Sequence, residues 1–253
     1  MKTRLDQLLV TRGLAASRAQ AQGLIMAARV LVAGQPVTKA GALVAEDADI
    51  TLKAPPSPYV SRGEEKLAPA LEHFQINPQG KVCLDSGAST GGFTQVLLSR
   101  GAVKVYAVDV GYGQLDPQLR HDHRVAVLER TNLRHLSREA VPEPLDLVTL
   151  DLSFISLTLV LPKILEFLRP GGEILALVKP QFEVGKGRVG KGGVVRDPDL
   201  QREAVARVAQ AAQAQGLQVS DPFPSPLKGP KGNQEYFLYL TLEKAPAAAP
   251  AVY

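Results

Sequence analysis

The sequence predicts an α/β protein: a mostly parallel sheet covered by helices, preceded by a small α+β module. Three observations predict it. From residue 81 onward, short runs rich in Val, Leu and Ile alternate with helix-patterned segments, the mark of strand–helix–strand units. A proline-rich stretch, KAPPSPYVSRG with Pro55, Pro56 and Pro58, separates that region from what comes before. The stretch before it has two helix patterns and a hairpin pattern of its own. With 253 residues, 45% of them hydrophobic, the chain can bury a substantial core.

The elements follow in order. TRLDQLLVTRGL reads as a first helix, with Thr3 as its cap, apolar positions at Leu5, Leu8 and Leu9, and Gly13 as its stop. AASRAQAQGLIMAARV reads as a second helix capped by Ser17, and RVLVAGQPVTKAG as a hairpin turning at Gly34 to Pro36. After the prolines, KVCLD is a strand and STGGFTQVLLSRG a helix. KVYAVDVG, RVAVLE, LDLVTLDL and EILALVK are further strands. LTLVLPKILEFLR, with Pro162 in its first turn, and PDLQREAVARVAQAAQAQG are helices. LQVSD and EYFLYLTLE form an antiparallel pair at one sheet edge, and APAAAPAVY is a low-complexity tail. The predicted organisation is a module over residues 1–53, a stiff linker over 54–60, a large domain over 61–244 and a flexible tail over 245–253.

Composition excludes several classes. One cysteine, Cys83, rules out an internal disulfide framework and fits a reducing compartment; inside KVCLD it reads as a small core residue. MKTRLDQLLVTRG lacks the apolar region of a signal peptide, and Asp146 and Asp151 interrupt the longest apolar stretch. A cytoplasmic protein without a membrane span is expected. The net charge of +4 favours a polyanionic partner, and residues 1–39 concentrate Lys2, Arg4, Arg12, Arg18, Arg29 and Lys39 against Asp6 alone. The histidines show no ligand spacing, so no metal is expected, with His121 and His123 read as loop residues.

The first strand of the large domain runs into LDSGASTGGF, which places Gly87, Gly91 and Gly92 in a strand-to-helix turn. Glycines there admit a ligand close to the backbone, and the helix start presents free amides. The next strand ends in Asp109, an acid placed to accept ribose hydroxyls. The spacing G-x-x-x-G-G differs from the dinucleotide pattern G-x-G-x-x-G, and Asp85 stands just before the turn. A carboxylate there suits a nucleoside cofactor with a cationic amino-acid part, which points to S-adenosylmethionine. GKGRVGKG approaches a nucleotide-triphosphate loop, but Gly192 stands where a hydroxyl is required and no helix follows. Its Lys186, Arg188 and Lys191 then belong to a basic loop, either solvated or in contact with RNA.

LVKPQFEVGKG places Lys179 where a buried strand ends. It is either a surface lysine capping that strand or a catalytic one. In doubly wound sheets ligands bind beyond the carboxyl ends of the strands. Asp151 ends another strand, Lys66 lies in SRGEEKL and Glu235 opens the last strand in GNQEYFLYL.

SRGEEKL, LDSGASTGGFT, VDVGYGQL, ERTN, DLSFISL, LVKPQFEVGKG, GGVVRDP and NQEYF, in this order, resemble the TlyA (hemolysin A) family of ribosomal RNA 2'-O-ribose methyltransferases. The catalytic part resembles FtsJ-type enzymes, and the N-terminal module resembles the RNA-binding domain of ribosomal protein S4. The resemblance implies a Rossmann-like class I methyltransferase with a mostly parallel seven-stranded sheet, plus the small α+β RNA-binding domain. It implies a catalytic Lys-Asp-Lys-Glu tetrad at Lys66, Asp151, Lys179 and Glu235. It implies a cofactor turn over Gly87, Ser89, Thr90, Gly91, Gly92 and Phe93 beside Asp85, with Asp109 at the ribose and Asn132 near the adenine. Arg4 and Arg18 match RNA-contacting positions; Lys2, Arg12, Lys186 and Arg188 complete the basic candidates.

The implied reaction is methyl transfer from S-adenosylmethionine to a cytidine 2'-hydroxyl in ribosomal RNA of the large subunit and, in some members, the small one. The partner is the ribosomal subunit; no protein partner is required. A lysine ordinarily titrates at about 10.4, so Lys179 acts as a base only if its pKa is lowered, as a second ammonium at Lys66 and partial burial would do. Two other readings are a membrane-active haemolysin, which no amphipathic or spanning segment supports, and a non-catalytic ribosome assembly factor, against which the intact tetrad argues. Arg4→Ala combined with Arg18→Ala is expected to weaken RNA binding while cofactor affinity is unchanged; equal RNA affinity at moderate salt would remove the module's role.

Overall fold

The computed structural model describes residues 2–15, 17–26, 28–52, 60–185 and 187–243. The linker, the tail and Lys186 of the sequence analysis lie outside them, apart from Val60. The chain divides into two compact units, Met1–Pro58 and Tyr59–Tyr253.

The first unit carries strand β1 (Lys2–Arg4), helices α1 (Leu5–Thr11) and α2 (Arg18–Met26), and strands β2 (Val30–Val32), β3 (Gln35–Pro36), β4 (Leu43–Ala45) and β5 (Ile50–Leu52). Leu5, Leu8 and Leu9 pack with Ala21, Ile25 and Val30 in its core. The expected cap at Thr3 is not formed. Thr3 instead pairs with Val44 in a two-stranded ribbon, and helix α1 starts after Arg4 without a side-chain cap. The ladder hydrogen bonds of β1 compete with a helical first turn and win. Ser17 does cap α2, its hydroxyl accepting the Gln20 amide. The hairpin turns at Ala33–Gly34, with Pro36 already in β3, and β5 joins β2 from the other side.

In the second unit helix α3 (Glu64–His73) leads to β6 (Val82–Ser86), α4 (Gly92–Ser99), β7 (Lys104–Val108), α5 (Pro117–Arg120), β8 (Val125–Leu128) and β9 (Leu145–Leu150). Then come α6 (Leu161–Leu165), β10 (Leu168–Val178), α7 (Pro180–Glu183), α8 (Pro198–Gln213), β11 (Leu217–Val219), β12 (Phe223–Pro224) and β13 (Tyr236–Leu242). Seven strands lie in the order β11-β13-β10-β9-β6-β7-β8, with the two-residue β12 added beside β13. Strands β6 to β10 pair in parallel, and β13 runs antiparallel to β10 and β11. The predicted helix across LTLVLPKILEFLR is shorter than expected: a 3-10 turn covers Leu157–Leu159 and only Leu161–Leu165 is α-helical.

Strand alternation sorts the two cores. Leu84, Tyr106, Val148 and Ile174 face α8, which contributes Val205, Val208 and Ala212. Cys83, Val105, Leu147 and Leu175 face α3 and α4, which contribute Leu67, Leu71, Phe93 and Val96. Helix α3 was missed in the sequence, where Pro69 reads as a breaker; its Leu67, Ala70 and Leu71 nonetheless make one buried stripe. Burial pushes the Cys83 thiol up to about 12, consistent with an inert core residue. No described helix is long and apolar enough to cross a membrane.

The same alternation sends Asp85, two residues after Cys83, into the core against α4. Its carboxylate is fully buried and accepts from the hydroxyls of Thr94 (2.7 Å) and Thr149 (3.0 Å). Burial raises its pKa from 3.8 to about 6, partly offset by those two hydroxyls. A folded-state pKa above the unfolded one means the fold holds the proton more tightly. The stability this group contributes is therefore full below about pH 4 and lost as the pH rises through about 6. Asp85→Asn is expected to abolish a stability change on the order of 3 kcal/mol across that window, read by urea denaturation of both proteins at each pH. Parallel curves for the two proteins would show that Asp85 titrates normally.

Candidate active site

Four strand ends and one strand start meet at a single edge of the sheet. β6 has β7 on one side and β9 on the other, so the chain reverses its winding there, and crevices form outside the carboxyl ends at such a point. β13 is antiparallel, with Tyr236 opposite Val178, so the residue that precedes it arrives at the same edge. This puts Gly87, Asp109, Asp151, Lys179 and Glu235 on one rim.

Two adjoining cavities open there, sharing Ser153 and Phe154 as a wall. The larger, about 520 Å³, is lined by Ser86, Gly87, Ser89, Asp109, Asn132 and Asp151 among others, a size suited to a small-molecule ligand. Gly87 has φ +85°, and a Cβ on it would stand 2.3 Å from the Asp151 carbonyl oxygen, so only glycine lets β6 and β9 approach this closely. Asp109 accepts the Ser89 amide (2.8 Å) through one oxygen and the Gly111 amide (2.7 Å) through the other. Its carboxylate is thereby fixed at the rim with lone pairs to spare. Asn132 caps a 3-10 turn by accepting the Arg134 amide, which holds its side chain at the opposite wall.

Not every predicted cofactor residue reaches this cavity. Thr90, Gly91, Gly92 and Phe93 shape the turn from behind, and Asp85 is buried beneath it. Gly91 has φ +98° with no room for a side chain beside Leu119, and a Cβ on Gly92 would meet the Ser61 hydroxyl. Phe93 packs in the core.

The smaller cavity, about 320 Å³, holds Lys179, Glu235, Gln181 and Phe182. Here the four tetrad residues form two ion pairs. Lys66 Nζ lies 2.7 Å from Glu235 Oε2, and Lys179 Nζ lies 2.7 Å from Asp151 Oδ1. Lys179 also donates to Ser153 Oγ at 3.1 Å. Both Lys179 and Glu235 are buried. The two amines are thus each matched to a separate carboxylate. Glu235 Oε1 is buried without a donor, and Asp151 Oδ1 faces its lysine at an angle that leaves it without an aligned donor too. Buried acceptors without donors are rare in folded proteins. A Cβ on Gly229 would stand 2.1 Å from Glu235 Oε1, so glycine is needed there to seat the carboxylate.

Three residues of this region escaped the sequence reading. Phe154 is 90% exposed and has φ +64°, an uncommon conformation for a bulky residue. It stands between the two cavities with its ring 5.1 Å from that of Phe182. An aromatic in a polar loop just past a strand end was the available signal. Glu183, at the end of α7, is buried and accepts from Ser156 Oγ (2.5 Å) and the Leu157 amide (2.8 Å). It clamps the loop of Ser153 and Phe154 to the turn that follows Lys179. Asn233 bridges the Val195 amide and the Gly193 carbonyl, tying the glycine-rich loop to the start of β13.

The basic candidates are also placed. Arg4 grips Asp6 with two hydrogen bonds of 3.1 and 3.0 Å; Arg18 and Gln22 each add one of 3.0 Å. Arg4, Gln22 and Arg18 together hold the Asp6 carboxyl well below the usual carboxylate range. Arg12 donates to the carbonyls of Glu46 and Ala48, and Lys2 is exposed on β1. In the second unit Arg188 forms a two-pronged pair with Glu203.

A Rossmann-like sheet with a glycine turn, an acid after the second strand and a catalytic-type cavity at the switch point defines a methyltransferase fold. The FtsJ-like methyltransferase model matches residues 59–242, and the S4 domain model matches residues 3–50. The Mycobacterium tuberculosis 16S/23S rRNA (cytidine-2'-O)-methyltransferase TlyA is 52% identical over 240 residues, 94% of this chain and 90% of that protein. The Campylobacter jejuni 23S rRNA (cytidine-2'-O)-methyltransferase TlyA is 41% identical over 182 residues, 72% of this chain and 70% of that one. A solved structure of a Streptococcus thermophilus protein that carries a hemolysin name superposes with a TM-score of 0.73 at 38% identity, covering 97% of this chain and 90% of the other. The chain belongs to the TlyA family of FtsJ-like methyltransferases.

The Glu183 clamp gives a test. Glu183→Ala strands the buried Leu157 amide and frees Ser156, and is expected to cost about 1–3 kcal/mol of stability and to weaken methyl transfer. Glu183→Gln keeps an acceptor for the amide and can donate to Ser156, so it is expected to restore most of both. Equal losses in the two variants, by thermal melting and methyl transfer, would make the charge rather than the clamp responsible.

Proposed function

We propose that this protein methylates a cytidine 2'-hydroxyl in ribosomal RNA, drawing the methyl group from S-adenosylmethionine, with the large subunit as its primary substrate. The observation that carries this reading is the meeting of two lysine–carboxylate pairs, each with one buried member, with a nucleoside-sized cavity across one shared wall. The names of the relatives supply the RNA and the cytidine. The residues fit the cofactor: Gly87 gives a close backbone approach, Asp109 has free lone pairs for ribose hydroxyls, and Ser89 and Asn132 line the same cavity. When bound there, S-adenosylmethionine supplies a methyl group already activated on a positively charged sulfur.

The remaining chemistry is positional. A ribose 2'-hydroxyl is a weak nucleophile and must lose its proton as it attacks. In its neutral form Lys179 Nζ accepts that proton, and the ammonium so formed is held by Asp151 and Ser153. Glu235, steadied by Lys66, offers its free Oε1 to a ribose hydroxyl and fixes the sugar. Alignment of the oxygen with the methyl carbon removes several kcal/mol of orientational cost. Phe154 presents a ring face at the mouth, where an unstacked base is held by aromatic stacking. Arg4 and Arg18 in the first unit supply charge for RNA phosphates. Both also share a buried carboxylate, so a variant lacking the two is read alongside the folding of that unit.

The test is transfer of radiolabelled methyl from S-adenosylmethionine to 50S and 30S subunits that lack the modification. Wild type is expected to label 50S RNA as a 2'-O-methylcytidine, and Lys179→Ala to lose at least about 100-fold, the scale of a removed general base. Label with the variant equal to wild type would move the base elsewhere. Bound cofactor with no label from wild type would overturn the substrate.

A further inference from the structure

The acceptor cavity carries a second cation at its rim. Lys231 lines the same cavity as Lys179, Glu235 and Phe154, yet it differs from the tetrad lysines in three ways. It is exposed, and no acidic group among the described residues lies within ion-pair distance of it, whereas Lys66, Lys179 and the nearby Arg188 each have a carboxylate partner. Its backbone stands at φ +63°, ψ 10° inside KGPKGN, a left-handed conformation that costs a side-chain-bearing residue about 1 kcal/mol and that glycine adopts freely. Its ammonium also projects toward the basic loop: a Cβ on Gly193 would lie 3.7 Å from Lys231 Nζ. Asn233, two residues on, fixes this geometry by bonding both Gly193 and Val195.

A strained residue that satisfies nothing in its own fold is kept for something outside it. A ribose seated between Lys179 and Glu235 is one bond from a phosphate on either side, so a lysine at the rim of that cavity meets the RNA backbone. Lysine suits the task, since a phosphate needs a mobile point charge there. We infer that Lys231 binds a backbone phosphate adjoining the nucleotide that enters the acceptor cavity. The inference rests on the RNA substrate proposed above.

Lys231→Gly separates the binding role from a structural one, because glycine relieves the left-handed strain. Affinity for unmodified 50S subunits is measured over a range of salt, with S-adenosylmethionine affinity, melting temperature and methyl transfer on the same samples. Lys231→Gly is expected to melt no lower than wild type and to bind cofactor equally. It should bind subunits about five- to tenfold more weakly, with the slope of log affinity against log salt reduced by about 0.7 to 0.9. Lys231→Arg should keep the slope. An unchanged subunit affinity and slope in Lys231→Gly, or a clear fall in its melting temperature, overturns the inference. Wild-type protein that neither binds nor methylates ribosomal subunits overturns the RNA reading itself, whereas wild-type transfer with an unaltered glycine variant overturns Lys231 alone.

Discussion

The site depends on the direction of one strand. Strands β6, β7, β9 and β10 run parallel and bring Gly87, Asp109, Asp151 and Lys179, just past their ends, to one edge of the sheet from distant parts of the sequence. Glu235 reaches that edge only because β13 runs the opposite way and begins where the others end. Were β13 parallel, its start would lie at the far edge of the sheet. The antiparallel strand therefore completes the rim of the smaller cavity as well as the sheet.

Burial gives these residues their character. An ion pair in a dry setting is worth keeping only if its remaining lone pairs are met, and removing one member leaves a costly isolated charge. Here each lysine has its own carboxylate, and Glu235 Oε1 is left buried without a donor beside Gly229. Glycines make this crowding feasible: Gly87 beneath Asp151 and Gly229 against Glu235 leave no space for a side chain.

Much of this was legible in the sequence, for physical reasons that differ by element. The strands around KVCLD and LDLVTLDL were readable because buried parallel strands are continuous apolar runs. Asp151, Lys179 and Glu235 stand out in the sequence as charged residues at strand ends against those runs, whereas their grouping with Lys66 comes from the family resemblance. Helix α3 was hidden by Pro69, and the ribbon that displaces the Thr3 cap depends on a partner, Val44, that no local pattern announces. Asp85 was expected at the ligand, but strand alternation turns it inward to Thr94 and Thr149. Phe154, Glu183 and Lys231 were missed because their roles arise from loop conformation and from contacts between segments far apart in the chain.

The Asp6 cluster has a consequence for how the first unit meets a polyanion. Arginine side chains ordinarily lose much rotational freedom when they settle on a phosphate, and that loss subtracts from affinity. Arg4 and Arg18 are each tethered at one face of the guanidinium to the same buried carboxylate while their side chains remain 42% and 52% exposed. Their outward N–H groups are already aimed before any partner arrives. A surface stiffened in this way favours a polyanion whose charges match its spacing over one that merely carries more charge.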